Sequence, residues 1–172
     1  KVIRVAIACL VIGGVLVATW TPHMAVAQET PTVLITGSSR GMGLELTKQY
    51  AAKGWKVIAT CRTPVTADAL NALAEEYSSI AIEELDVTDH AEIEALAKKY
   101  SDVPIDVLIN NAGIFGPAAK QTLEDLDYDT FTNVMAVNVY GPLNMSQSFA
   151  DNVAASEQKK IVTITSGLGS MA

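Results

Sequence analysis

The chain has 172 residues, 49% of them apolar and 18% charged, which is too apolar for a disordered segment and long enough for one domain with its own core. Twelve basic residues against nineteen acidic ones give a formal net charge of −7, so the electrostatic footprint that nucleic-acid binding requires is missing. The two cysteines, Cys9 and Cys61, and the two histidines, His23 and His90, show no ligand spacing, which excludes a disulfide framework and a zinc site.

In chain order, residues 5–28 carry no Asp, Glu, Lys or Arg. Lys1 and Arg4 precede an aliphatic run from Val5 to Ala18, and Ala25-Val26-Ala27 follows it. A basic start, an apolar middle and a small-x-small site outline a secretory signal peptide over residues 1–27, with the cut expected between Ala27 and Gln28. The alternative is an uncleaved N-terminal anchor in contact with a membrane, since the run extended to Trp20 nearly reaches the roughly 20 residues that cross a bilayer. Both readings expect export: a periplasmic or secreted protein after cleavage, a membrane-anchored one without it, with the cytoplasm left open. The expected domain is then 28–172, in which ten basic residues face nineteen acidic ones.

From there short apolar runs alternate with stretches of helical period, the pattern of βαβ units and a parallel sheet. The expected strands are Thr32 to Thr36, Lys56 to Thr60, Ile80 to Leu85, Val107 to Asn110 and Lys160 to Thr165. Between them the spacing predicts helices over Leu44 to Lys53, Ala67 to Tyr77 and Ala91 to Tyr100, and one long helix from Tyr128 to Ala155. Continuous runs such as Val107-Leu108-Ile109 mark strands covered on both faces.

The first strand leads into Thr36-Gly37-Ser38-Ser39-Arg40-Gly41-Met42-Gly43 and then a helix. Strand, glycine turn and helix in that order suit a dinucleotide. Gly37 takes the tight turn, Gly41 lets backbone approach a pyrophosphate, Gly43 allows close helix packing, and the first amides of the helix point at phosphate.

These residues, with Asp86 in Leu85-Asp86-Val87, Asn110-Asn111-Ala112-Gly113, Asn138 in Val137-Asn138-Val139 and Ser166 after the fifth strand, stand in the order found in classical short-chain dehydrogenase/reductases, which the chain resembles over residues 32–170. Ala59-Thr60-Cys61-Arg62 and the wording from Asp106 to Gly113 resemble the carbonyl-reductase-like branch that includes C-factor and sniffer proteins. The resemblance implies an α/β, Rossmann-like, doubly wound parallel sheet of strand order 3-2-1-4-5, with the later strands of the family missing. It implies hydride transfer between a nicotinamide cofactor and a small carbonyl or alcohol substrate, with a non-catalytic nucleotide-binding or signalling protein of the same fold as the alternative. The intact form is expected to be a homo-oligomer built on the long helix and the one after it.

An acidic residue at the end of the second strand would hold the ribose hydroxyls of NAD and repel a 2′-phosphate. Cys61 holds that place, Arg62 follows it, and Arg40 lies in the glycine turn, so two guanidinium groups are available to one phosphate. NADP(H) is therefore the expected cofactor. Gly37, Ser39, Arg40, Gly41, Met42, Gly43 and Arg62 are expected on its phosphate side. By the resemblance, Asp86 and Val87 take the adenine, and Asn110, Ala112 and Gly113 supply backbone along the adenine and ribose.

The resemblance assigns Ser166 to the carbonyl oxygen and Asn138 to a water chain. Pro142 has no amide for the carbonyl four residues back, that of Asn138, which marks this oxygen as a free acceptor for that chain. The family's Tyr-x-x-x-Lys pair is not present: no tyrosine is followed by lysine four residues later. The pair is expected about a dozen residues beyond Ser166, so the 172 residues read as a fragment that is inactive alone.

Overall fold

The computed structural model describes residues 30–122 and 124–166. The export segment read over residues 1–27 and the stretch after Ser166 lie outside them. Among the described residues no helix is long and apolar enough to cross a membrane.

Five strands, β1 (Thr32–Ile35), β2 (Lys56–Cys61), β3 (Ile80–Glu84), β4 (Val107–Asn110) and β5 (Lys160–Thr163), pair in the order β3-β2-β1-β4-β5. Every pairing is parallel, as the βα alternation requires. The crossovers are α1 (Gly41–Ala52), α2 (Asp68–Glu76), α3 (His90–Lys99) and a helical stretch from Tyr128 to Ala154.

Alternate residues of the central strands feed two cores. Val33, Ile35, Val57, Ala59, Val107 and Ile109 pack with Ala51 of α1 and with Leu70 and Leu73 of α2. On the other face Leu34, Ile58 and Leu108 pack with Ile93 and Leu96 of α3 and with Met145, Phe149 and Val153 of the last helical stretch. β1 is fully buried, whereas all four residues of edge strand β5 are exposed.

Polar bonds set the frame at the sheet's lower and outer edges. The Asp106 carboxylate accepts from Thr32 N at 2.9 Å and Gln158 N at 3.3 Å, tying the starts of β1 and β5 to β4. At the β3 edge Glu83 accepts from Lys99 Nζ at 2.7 Å and from the Tyr100 hydroxyl at 2.6 Å.

The long helix expected from Tyr128 to Ala155 is not continuous. It runs as α4 (Tyr128–Met135), a π turn (Ala136–Tyr140), α5 (Gly141–Ser148) and α6 (Ala150–Ala154). The cause is Pro142. A wider turn, in which Gly141 N reaches Ala136 O, places the proline in the first turn of α5, where a missing amide leaves no internal bond unmade. Val137, Gly141, Met145, Phe149 and Val153, spaced by four, are all buried. Such a stripe drifts about 40° per step on an ideal α-helix, and the π turn takes back part of that drift.

Candidate functional site

The site is built at the carboxyl ends of the strands, where an open parallel sheet places its ligands. Its base is a stitch between two loops. The Thr36 hydroxyl oxygen accepts from Asn111 N and Ala112 N, both at 3.0 Å. Asn111 Nδ2 donates back to Thr36 O at 2.8 Å and Gly37 O at 3.1 Å. The turn after β1 and the turn after β4 thus move as one body.

Glycine is required within that body. Gly37 has φ +70° and lies so close to Ala112 that a β-carbon would come within 2.9 Å of its Cα. A β-carbon on Gly43 would collide with the Gly37 carbonyl, so this glycine serves the turn itself rather than only the packing of helix on strand. Gly41 has φ +57° and nothing within 4 Å of the place its β-carbon would take. Its left-handed backbone accounts for the glycine, and the open space beside it belongs to the cleft at the start of α1.

α1 starts at this turn with no side-chain cap and no acidic residue in its first turn, and Arg40 precedes it in extended backbone. Leu44 N is bonded back to Arg40 O at 3.3 Å. The uncapped positive end of the helix faces a cleft of about 690 Å³.

Gly37, Ser39, Arg40, Gly41, Met42 and Gly43 border this cleft from the β1 side. Cys61 and Arg62 border it from the end of β2, Asp86 and Val87 from the end of β3. Ala112, Gly113 and Ile114 close it beyond β4, and Val137 reaches it from the π turn. Arg40 and Arg62 are exposed, and among the described residues neither forms an ion pair. Cys61 is 4% exposed, and burial pushes its thiol pKa up, keeping it protonated and uncharged.

Asp86 uses one carboxylate oxygen locally, accepting from Thr88 N at 2.9 Å and Thr88 Oγ1 at 2.7 Å. Its own amide donates to Glu92 Oε2 at 2.7 Å. The helix cap is Asp89, which accepts from Ala91 N and Glu92 N, leaving Asp86 to turn the chain past the cleft.

Three predicted residues stand off the cleft lining. Asn110, expected along the adenine and ribose, is 2% exposed. Its Nδ2 faces α5 instead, donating to Ser146 Oγ at 3.2 Å and Pro142 O at 3.4 Å, because it continues the inward-facing series of Leu108. Its neighbour Asn111 borders the cleft. Asn138 lies in the π turn with both side-chain polar atoms engaged: Ile114 N donates to its Oδ1 at 2.9 Å, and its Nδ2 donates to Ile114 O at 2.7 Å. It therefore clamps the backbone of a residue that lines the cleft. Ser166 is exposed, three residues past the end of β5.

Two residues not singled out by sequence shape the site from behind. Gly141 abuts Val87, where a β-carbon would stand 3.0 Å from Cγ2. Ser146 donates to Pro142 O at 2.6 Å and receives Asn110. The first was legible as a glycine next to a proline. The second carries no signal in one sequence.

The fold recurs in known proteins. A short-chain dehydrogenase/reductase from Burkholderia multivorans, solved with bound NADP, superposes with a TM-score of 0.73 at 32% identity over 83% of this chain and 61% of its own. The NADPH-bound carbonyl reductase from chicken fatty liver gives a TM-score of 0.74 at 31% identity over 83% and 59%. The (+)-neomenthol dehydrogenase of Arabidopsis thaliana is 30% identical over 168 residues, covering 84% of this chain and 57% of its own. The chain thus spans little more than half the length of these relatives. The model of the short chain dehydrogenases matches residues 31–172, and the chain belongs to that family.

Proposed function

We propose that these residues form the NADP(H)-binding part of an oxidoreductase acting on a carbonyl or alcohol. The observation that carries the reading is the pair of guanidinium groups, Arg40 and Arg62, free of ion pairs among the described residues and bordering one cleft whose second-strand end carries an uncharged Cys61. Two structural relatives with the same fold hold NADP or NADPH.

In this reading Arg40 and Arg62 take the 2′-phosphate through charge-assisted bonds. The turn from Gly37 to Gly43 and the uncapped end of α1 take the pyrophosphate. Asp86, through the carboxylate oxygen not spent on Thr88, and Val87 take the adenine beside Ala112 and Gly113. Asn110 serves from below, by fixing α5 against β4. When bound, the cofactor supplies or accepts the hydride at its nicotinamide. Ser166 donates a hydrogen bond to the substrate oxygen, and Asn138 holds the Ile114 wall in place. A proton donor of the Tyr-x-x-x-Lys type is not among the 172 residues, so they do not catalyse alone.

In this reading the protein is also exported, with residues 1–27 as its signal. A cut after Ala27 falls four residues before β1 begins at Thr32 and leaves every described residue of the cleft in the mature chain. The homo-oligomer of the intact form is proposed to use the exposed side of α4 and α5.

Titration of the purified chain with NADPH and NADH by calorimetry tests the proposal. NADPH binds more tightly, and Arg62→Asp lowers the NADPH to NADH affinity ratio about tenfold or more by losing a charge-assisted bond and adding repulsion. A folded chain that ignores millimolar NADPH, or an unchanged ratio, refutes it.

A further inference from the structure

We infer that Asp68 is a counter-charge in the cofactor cleft, whose carboxylate holds the preference for NADPH over NADH well below what Arg40 and Arg62 alone would give. The inference rests on the cofactor reading above and deepens it, because it concerns a residue to which that reading gives no task.

Two helices begin at the cleft, and they begin differently. Gly41 at the start of α1 and Asp68 at the start of α2 both border it. Neither helix has a side-chain cap, so both leave first-turn amides and a positive end open to an anion. The first turn of α1 carries no acid, whereas that of α2 carries Asp68 at its first position. A carboxylate there offsets the positive end of its own helix and repels any further anion that approaches. Attraction for phosphate is left to α1 and the two arginines.

The segment that carries Asp68 is braced. Thr63 O accepts from Thr66 N at 3.2 Å and from Thr66 Oγ1 at 3.3 Å. Pro64 O accepts from Ala67 N at 3.0 Å and from Asn71 Nδ2 at 2.9 Å. Ala67 is buried in the core on the α1 and α2 side of the sheet. All of these ties lie between Arg62 and the first turns of α2, so guanidinium and carboxylate ride on one short, fixed stretch of chain.

They do not cancel each other. Both are exposed, and among the described residues neither Arg62 nor Asp68 joins an ion pair. A carboxylate held in this way acts on whatever charge enters the cleft. NADPH differs from NADH by its 2′-phosphate, which brings up to about two negative charges. The pyrophosphate common to both is assigned to α1, so Asp68 opposes the 2′-phosphate that Arg62 attracts and leaves NADH nearly untouched. Specificity is set here by a repulsive group as well as by attractive ones.

The test is calorimetric titration with NADPH and with NADH of the 172-residue chain, Asp68→Asn and Asp68→Lys. It is run at about 10 mM and again at about 1 M salt, between which the Debye length falls from about 30 Å to about 3 Å. At the lower salt Asp68→Asn tightens NADPH about threefold and Asp68→Lys about tenfold, NADH changes by less than about twofold in either, and high salt removes most of the gain. An NADPH to NADH ratio that stays at the parent's in both variants overturns the inference. So does a shift of both affinities together, which is what a purely structural part in starting α2 would give. In either case a parent that binds NADPH, with a ratio that falls on Arg62→Asp, leaves the cofactor reading standing. A parent that binds no NADPH removes the cofactor reading and this inference with it.

Discussion

Gly43→Ala tests whether the cleft depends on the stitch between the loops after β1 and β4. In the interior of an exposed helix this exchange gains about 1 kcal/mol of backbone propensity, so propensity alone predicts a more stable protein. The structure predicts the reverse. The new β-carbon would stand 2.5 Å from Asn111 Nδ2 and closer still to the Gly37 carbonyl oxygen. Neither neighbour can give way cheaply, since Gly37 is held left-handed against Ala112 and Asn111 Nδ2 is bonded to Thr36 O and Gly37 O. Relief requires a backbone shift costing about 1–3 kcal/mol and the loss of an Asn111 bond worth about 1 kcal/mol. Set against the propensity gain, the net loss is about 2 kcal/mol, which for a domain of this size lowers Tm by about 4–8 °C. Urea unfolding followed by circular dichroism should show an earlier midpoint at unchanged slope, and NADPH affinity should fall about tenfold because the turn that faces phosphate is displaced. A variant as stable as its parent that binds NADPH equally well would show that the stitch yields freely, and the reasoning would fail.

Three further outcomes follow from other parts of the frame. Asp106→Ala removes both acceptors that tie β1 and β5 to β4 and should cost about 2–4 kcal/mol in denaturant unfolding, with Asp106→Asn losing less because one acceptor remains. Thr60 Oγ1 is buried with no hydrogen-bond partner among the described residues, so Thr60→Val, which keeps the shape, should raise stability by about 1 kcal/mol; a drop in the urea midpoint would contradict this. Tyr100 has its pKa raised well above the usual phenol value by burial and by its bond to Glu83. A raised folded-state value favours the protonated form, so this stability is whole below about pH 10 and is lost as pH climbs towards the folded-state value. Phe at this position should lack that alkaline loss, as read by Tm against pH, and ultraviolet titration should show one late-ionising tyrosine fewer.

The sheet was legible because its signal is a contrast that one sequence carries in full. Strand runs such as Thr32 to Ile35 and Val107 to Asn110 are continuous and apolar, the helices between them are periodic, and in a parallel sheet nothing else fits that alternation. Boundaries were blurred at the carboxyl ends, where Thr36 and Thr165 were counted into strands. Thr36 N still donates to Ile109 O, but the chain bends there and its hydroxyl and carbonyl go to Asn111 and Ala112. The glycine turn was legible for the same reason, since φ and close approach leave few alternatives to glycine at Gly37 and Gly43.

What one sequence could not give is the set of bonds between segments far apart in the chain. Asn110 and Asn111 are adjacent and identical in kind, yet the pleat sends them to opposite duties: Asn110 turns under the sheet to Ser146, and Asn111 turns up to Thr36 and Gly37. Strand parity distinguishes them, since Leu108 faces the core shared with α5 and Asn110 repeats its direction. Pro142 is the harder case. Its missing amide announces an interruption, but whether the chain kinks, ends or widens depends on what the flanking residues bind. Here Asn138 is committed to Ile114 on one side, and Pro142 O to Ser146 on the other. A helix anchored at both places cannot end between them, and a proline within it cannot be accommodated by an unbroken α-helix without leaving a carbonyl unpaired. Widening by one residue satisfies both constraints at once, and it carries Val137 to the cleft wall while Met145 and Phe149 stay in the core.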